Sequence, residues 1–464
     1  MTGYADVLIG TQFGDEGKGK VVDRVVKDYQ LFVRYAGGPN AGHSMQVRDK
    51  KIILHQVPSG IFSPSAKLYI GSGCALNLEK LLNEIEEIKN LGISLHGRLK
   101  ISDRAAVICP VHQELDAIFG KGIGTTSNGI GPAYAARAQR SEGSLQTHIR
   151  VAEIIDNPND AKEMMISNYL GLRGRTGVEP KGEIDEAAKK ILVAGEKLKK
   201  YISRDPLYLK REVDRGYNVL FEGAQGAMLD IVQGTVPYVT ATSTLAAQAY
   251  VGGDLPTKYN RKVIGVCKSI MSRVGNGPFV SEFGGKQSEV YCAEGKKHGA
   301  EFEREKYDIK KLLSSKNPFD LGIALRILGK EYGATTARPR RLGMLDLVAL
   351  RNVCELNGVD ELYLTKLDML QDFSRTNLPG IPFVTAYHVD GYDNNTIPTL
   401  ETEYRRVQPV ITYFPPITED LSNIRRYQDL PSSAKNIIQF IGEEAKCKIK
   451  GIGVGPEREQ FIEL

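Results

Sequence analysis

Residues 10–20 read GTQFGDEGKGK. Gly14 to Lys20 has the spacing of a phosphate-binding glycine loop, in which backbone N–H groups cradle an anion and a lysine reaches it. Position 21, however, is Val where a Ser or Thr hydroxyl would hold magnesium, and Asp15 and Glu16 place two carboxylates inside a loop built for anions. An acid in that position needs a task of its own. Further along, GGPNAGHS (37–44) brings together the amide of Asn40, a close-approach backbone at Gly42 and the titratable ring of His43. GIGTTSNGIGPAY (122–134) offers paired Thr hydroxyls among glycines, and FEGAQGAMLD (221–230) is a fourth glycine-rich segment. GATTARPRRLG (333–343) sets two Thr and three Arg in a glycine-opened loop, where guanidinium forks can clamp carboxylate or phosphate. TKLD (365–368) puts Lys366 and Asp368 at the end of an apolar run, and an Asp there can accept two hydrogen bonds from guanine's ring N–H and amino group. Taken singly, each has a plainer reading as a turn, a core histidine, a solvated basic loop or a helix cap.

The elements that must position these residues alternate between apolar runs and helical periodicity. ADVLIG ends at the glycine loop and KVVDRVVKDY follows it with helical spacing, which predicts strand, loop, helix. Further strands are predicted at 67–73, 105–110, 217–223, 262–270 and 361–368, several ending in a polar or glycine-rich turn. That is the pattern of an α/β fold with a large, mostly parallel sheet whose strand ends carry the chemistry. Leu78, Leu81, Leu82, Ile85 and Ile88 recur at helical spacing within 77–92, and 181–204 reads as a charged amphipathic helix. Residues 286–317 are polar and charge-rich between two glycine-bearing motifs and read as an inserted excursion or lid.

Composition bounds the rest. A chain of 464 residues has room for two or three domains or one large core with insertions, and 41% hydrophobic with 25% charged residues is ordinary for a globular protein. No apolar run approaches the roughly 18 residues of a membrane span, and the first residues carry no basic, cleavable apolar segment, so a cytoplasmic location is expected. Six scattered cysteines form no C-x-x-C pair, which argues against a zinc site or a disulfide framework. A net charge of +5, from 61 basic and 56 acidic residues without basic blocks, gives no sign of nucleic-acid binding.

QFGDEGKG (12–19), NAGHS (40–44), GIGPAYAARAQR (129–140), EGAQG (222–226), VPYVT (236–240), RVGNGPF (273–279), TTARPRR (335–341), TKLD (365–368) and GVGP (453–456), in this order, resemble the adenylosuccinate synthetase family over nearly the whole chain. The resemblance implies a single α/β domain over 1–464 carrying the charged insertion 286–317. It also implies a homodimer, and a reaction in which GTP drives the joining of inosine monophosphate (IMP) to L-aspartate with Mg2+. In that likeness the purine's 6-oxygen is first phosphorylated, so Asp15 matches the base that takes the proton from ring nitrogen 1 and also binds the metal. His43 matches the acid that stabilises the oxygen leaving the γ-phosphate, and Lys18 with Gly14, Gly17, Gly19 and Lys20 the phosphate contacts. The Gly42 carbonyl matches a second metal ligand. Thr335, Thr336 and Arg338 match the grip on aspartate, with Arg338 also near the IMP ribose. Asn40, Thr126, Gln225 and Thr240 match IMP contacts, and Arg140 one donated by the other subunit. Arg340, Lys366, Asp368, Gly453 and Gly455 match the GTP site.

Several positions depart from the family pattern. Phe13 stands for a usual Trp, Ser44 for Thr and Arg137 for Lys. Ser127 and Asn128 replace a usual Gly and basic residue, the run 242–253 differs beside the purine, and 286–317 has no counterpart in shorter members. Two other readings follow from the same residues. A sister group makes 2-aminoadenylosuccinate from (deoxy)guanylate, but typically lacks the acid matching Asp15, which would crowd a 2-amino group. A GTP-binding regulatory switch would have no use for the Arg-rich loop and would carry the hydroxyl that Val21 lacks.

Overall fold

The computed structural model describes residues 2–47, 50–120, 122–179, 182–333 and 337–464. The chain divides into two compact units: residues 1–8, 19–224 and 240–261 in the first, and 9–18, 225–239 and 262–464 in the second. Ten strands make a mostly parallel central sheet: β1 (Ala5–Gly10), β2 (Leu31–Arg34), β3 (Lys67–Ile70), β4 (Leu99–Ser102), β5 (Ile202–Ser203), β6 (Val219–Glu222), β7 (Asn260–Lys268), β8 (Glu361–Thr365), β9 (Lys448–Gly453) and β10 (Phe461–Glu463). Their order is β5-β4-β3-β2-β6-β1-β7-β8-β9-β10, flanked by helices.

In the first unit β1, β6, β2, β3, β4 and β5 pair in parallel. Their continuous rather than alternating apolar pattern is what burial on both faces requires, and Val7, Leu8, Phe32, Val33, Phe221 and Ile70 are all inaccessible to solvent. β2 and β4 lie in segments too short and mixed to stand out in the sequence. The run 105–110, predicted as a strand of the main sheet, yields only Ala106–Val107 in a small separate sheet. Pro110 opens the helix Pro110–Phe119 at its first position, which its fixed φ favours, and so ends the extended run early. The helix Leu78–Asn90 forms as predicted: Asn77 caps it by accepting from Lys80 N, and Leu78, Leu81, Ile85 and Ile88 face inward. Buried Glu84 on the same helix accepts backbone N–H groups of His55, Gln56 and Val57, which anchors the segment leading to Ser59.

In the second unit β7, β8 and β9 are parallel and β10 closes the edge antiparallel to β9. A smaller sheet is built on Ile381–Val389 and Gln408–Phe414. The charged stretch 286–317 holds most of the helix Gly285–Ala293, then Ala300–Lys306 and Ile309–Leu313, and leads into the apolar helix Pro318–Gly329. Among the described residues no helix is long and apolar enough to cross a membrane.

Candidate active site

The loop 10–17, the 37–43 turn, the segment from Gly223 and the segment from Lys366 follow the carboxyl ends of parallel strands, where helices and loops leave space for ligands, whereas Arg338 and Arg340 follow the helix Pro318–Gly329. In the second unit, β1 runs into the loop 10–17, which turns through left-handed backbone at Gly14 (φ 91°), Asp15 (φ 59°) and Gly17 (φ 87°). The two acids of this loop have opposite fates. Glu16 is fully buried; its carboxylate accepts from Gln12 N (3.1 Å), Gly14 N (2.8 Å) and Lys18 Nζ (2.8 Å). It sits so close to β1 that a Cβ on Gly10 would lie 2.1 Å from Glu16 Oε2. Glu16 is therefore the chain's own anion in the cradle, filling amides that a bare phosphate loop would offer to ligand. Asp15 points the other way, with 36% of its side chain exposed, and pairs with Arg340 at 2.8 Å. Burial opposes ionisation of Asp15, but Arg340, Lys268 and Lys18 outweigh it, and its carboxyl is held below the ordinary value of 3.8.

Lys18 Nζ also donates to Gln225 O (2.6 Å), and Gln225, in left-handed backbone at φ 54°, has a buried side-chain oxygen with no hydrogen-bond partner. An orphaned buried acceptor of this kind fits a ligand donor. Lys20, at the start of the helix Lys18–Val25, is half-buried.

Behind Arg340 lies Glu331, inaccessible to solvent, which accepts from Arg340 Nη1 (2.7 Å), pairs with Lys268 Nζ (3.2 Å) and binds Lys366 Nζ. Burial alone would raise its pKa; Lys268, Lys366 and Arg340 drive it well below the usual carboxylate range. One buried carboxylate thus ties the Arg loop to the end of β8. Lys366 takes left-handed backbone (φ 59°) directly after β8, and its ammonium also donates to Gly329 O at 2.9 Å. Asp368 follows in the first turn of a 3-10 helix, Leu367–Arg375. Gly453 ends β9 against this segment, a Cβ there lying 3.5 Å from Thr365 Cα and 3.7 Å from Lys366 N. Gly455 lies two residues on, tight against Gln460. Lys366, Asp368 and the 453–455 turn are thereby brought to neighbouring strand ends. Arg338 is half-buried, whereas Thr335 and Thr336 lie outside the described residues.

The first unit holds a second constellation. His43, at the start of the hairpin strand His43–Val47, bonds through Nδ1 to the buried carboxylate of Glu222 at the end of β6, and its Nδ1 lies 3.2 Å from Ser59 Oγ. Glu222 also accepts from Ser59 N at 2.7 Å and from the Ser59 hydroxyl. A carboxylate acceptor means that Nδ1 carries hydrogen, which orients the ring and directs Nε2 away from this bond. Burial opposes the charge on Glu222, but His43 in particular, with Arg34 and Ser59, lowers its pKa from 4.5 to about 2. Glu222→Gln should accordingly cost on the order of 3 kcal/mol of stability at pH 7, since a depressed folded pKa contributes stability above the unfolded value. The difference from wild type should shrink as pH falls from about 4.5 towards 2; denaturant unfolding at pH 7 and pH 3 tests this.

Asn40 Oδ1 accepts from Gly38 N at 3.2 Å, and Gly42 is half-buried between Asn40 and His43. Tyr134 OH donates to Gly73 O (2.6 Å) and accepts from Gly37 N (3.1 Å), bracing the 37–43 turn on the helix Ile130–Gln139. Thr126 is exposed, and its hydroxyl oxygen accepts from Asn128 Nδ2 at 3.0 Å, while Lys80 Nζ donates to Asn128 Oδ1 at 2.6 Å. Thr240 is half-buried in the same unit, and Arg140 is exposed in left-handed backbone (φ 68°) at the end of its helix. Glu16 stood out in the sequence only as the second acid of the loop, and Glu222, Glu331 and Lys268 did not stand out as individual residues. Only the acid closing the apolar run VLFE gave Glu222 a local signal; Glu331 and Lys268 had none.

These features define an α/β protein with an acidic glycine loop after its first strand and an arginine loop whose Arg340 meets Asp15 and Glu331. The family model for adenylosuccinate synthetase matches residues 7–462. Adenylosuccinate synthetase 2 of Cupriavidus pinatubonensis is 39% identical over 462 residues, covering 99% of this chain and 97% of that protein. Adenylosuccinate synthetase of Bifidobacterium animalis subsp. lactis is 37% identical over 468 residues, 99% of this chain and 98% of that one. Among solved structures, the fully ligated adenylosuccinate synthetase of Plasmodium falciparum superposes with a TM-score of 0.84 at 32% identity, over all of both chains. The succinoaminodeoxyadenylate synthetase of cyanophage S-2L, bound to dGMP and dATP, shares the fold at a TM-score of 0.59 and 18% identity over 100% of this chain and 96% of that one. The chain belongs to the adenylosuccinate synthetase family, nucleotide-dependent carbon–nitrogen ligases of purine biosynthesis.

Proposed function

We propose that this chain ligates IMP and L-aspartate to adenylosuccinate at the expense of GTP, with Asp15 as the base that makes the purine oxygen a nucleophile. The observation that carries the assignment is the division of labour between the loop's acids. Glu16 is consumed by the loop's own amides and Lys18, whereas Asp15 is exposed, ionised and held beside Arg340. An ionised carboxylate can take the proton from N1 of IMP while the 6-oxygen attacks the γ-phosphorus and GDP departs. His43, oriented by Glu222, serves as an imidazolium toward the oxygen leaving that phosphorus, where charge develops. The amine of aspartate then displaces phosphate from carbon 6.

In this reading Gly17, Gly19, Lys20 and Arg340 meet the GTP phosphates, joined by Gly14 and Lys18 when GTP displaces their bonds to Glu16, and Lys366, Asp368, Gly453 and Gly455 meet the guanine. Asn40, Thr126, Gln225, Thr240 and Arg338 hold IMP, and Thr335, Thr336 and Arg338 the aspartate carboxylates. Gln225's orphaned oxygen suits a donor on the purine. Arg140, exposed at its helix end, would reach the IMP of a partner subunit in a homodimer. Asp15 and the Gly42 carbonyl are the ligands that the family resemblance implies for Mg2+, and each is a hard oxygen donor of the kind that ion takes. Bound there, magnesium supplies charge neutralisation at the phosphates. The enzyme works in this reading as a cytoplasmic protein.

Asp368 can accept from guanine's ring N–H and amino group, a donor pair that adenine does not offer, so GTP should be preferred to ATP by roughly 10²-fold in kcat/KM. Purified enzyme with magnesium and aspartate, crossing IMP, guanylate and deoxyguanylate against GTP and ATP with product mass as readout, should give adenylosuccinate from IMP and GTP. Turnover of deoxyguanylate with ATP instead would overturn both nucleotide assignments.

A further inference from the structure

The helices inserted before Pro318 are joined to the arginine loop by a buried network. Glu303, in Ala300–Lys306, is inaccessible to solvent, and so nearly is Arg326 in the helix Pro318–Gly329. The two form a forked ion pair, with Arg326 Nε 3.0 Å from both carboxylate oxygens and Nη2 2.7 Å from Oε1. The remaining arm of Arg326, Nη1, donates to the backbone carbonyl of Arg340 at 2.8 Å. Tyr332 OH, just before the loop, donates to Glu303 Oε2 at 2.6 Å. The face of Arg326 is covered by the Tyr291 ring, 5.6 Å from the guanidinium carbon, which also comes from the inserted helices. Next to this network the turn 295–299 lies against the loop itself: a Cβ on Gly295 would sit 3.7 Å from Arg338 Nε and 3.8 Å from its Cγ, and one on Gly299 would lie 3.7 Å from Ala337 O.

A forked, fully desolvated ion pair between an inserted helix and the helix beneath the loop is a costly feature for a mere surface addition, because each charge is unsupported without the other. Here its third arm ends on a residue whose guanidinium bonds Asp15 and Glu331. We propose that the inserted segment is a brace for the arginine loop: Glu303 and Arg326 are positioning residues that aim Arg340, and the 295–299 turn backs Arg338. The proposal rests on reading that loop as the grip on GTP and aspartate.

The test is the double variant Glu303→Gln/Arg326→Met, which removes both charges together. In the folded variant, checked by cooperative thermal melting, GTP affinity measured by direct titration should weaken at least about tenfold and the aspartate KM rise by about tenfold, with a smaller rise in the IMP KM, since Arg338 is the one IMP contact on this loop. Amide exchange at 337–343 in the unliganded protein should quicken. A folded double variant with wild-type GTP affinity, aspartate KM and loop exchange would overturn the proposal, as a purely structural role would. Should the double variant fail to fold, Tyr332→Phe takes one hydrogen bond from Glu303 and leaves the pair neutralised. It should raise GTP Kd and aspartate KM about threefold, and wild-type values there would equally overturn the brace. Wild-type enzyme that yields no adenylosuccinate from IMP, GTP and aspartate would remove the functional reading alone, because loop exchange in the variants judges the brace independently of substrate.

Discussion

Asp15→Asn should lower kcat by at least about 10³-fold with the fold intact. Loss of a general base alone costs 10² to 10⁴, and an amide also gives up the charge that would hold magnesium beside the phosphates. The folded state should tolerate the change: Asp15 stands in left-handed backbone that Asn accepts readily, more than a third of its side chain is exposed, and Arg340 keeps its bond to Glu331. Steady-state kinetics with a parallel denaturation curve separate the two effects. Near-normal turnover in a folded variant would end the assignment of Asp15 as the base. The pH profile offers an independent check. Because Arg340 and the two lysines hold the Asp15 carboxyl below its ordinary 3.8, the acid is ionised throughout the neutral and mildly acid range. The acid limb of kcat/KM should therefore not come from this group above about pH 5.

Glu331→Gln should destabilise the protein by about 3 to 5 kcal/mol, because it leaves buried cations without their common counter-charge. Lys268 is fully buried, and burial already pushes its pKa down; Glu331 is the chief group opposing that. In the variant Lys268 should lose its proton more readily and Arg340 should shift its remaining allegiance to Asp15. The folded pKa of Glu331 lies well below 4.5, so its contribution is present above that value and declines only as pH falls beneath it. Urea denaturation at pH 7 measures the loss. An unchanged midpoint would show that the cations find other partners, and that Glu331 does not organise the strand end at Lys366.

What the sequence determined by itself was everything that depends on neighbours in the chain. The apolar runs, several ending in polar or glycine-rich turns, predicted β1, β3, β6, β7 and β8, since continuous apolar runs and turn residues act locally. β2, β4, β5, β9 and β10 escaped, and Pro110 cut the run at 105–110. The ordered motifs from QFGDEGKG to GVGP carried the family and with it the residues to examine. Tertiary structure decided which charges meet. Asp15 and Glu16 are adjacent and chemically alike, yet one carboxylate folds back onto the amides of Gln12 and Gly14 while the other faces Arg340, 325 positions along the chain. His43 finds Glu222 across 179 positions, and Glu331 gathers Lys268, Lys366 and Arg340 from three separate segments. The stretch 286–317, an inserted excursion or lid by composition, places Glu303 out of solvent against Arg326. Periodicity and turn chemistry leave a trace in a window of residues. The pairing of buried charges leaves none, because its energy depends on desolvation and distance, which exist only once the chain has folded.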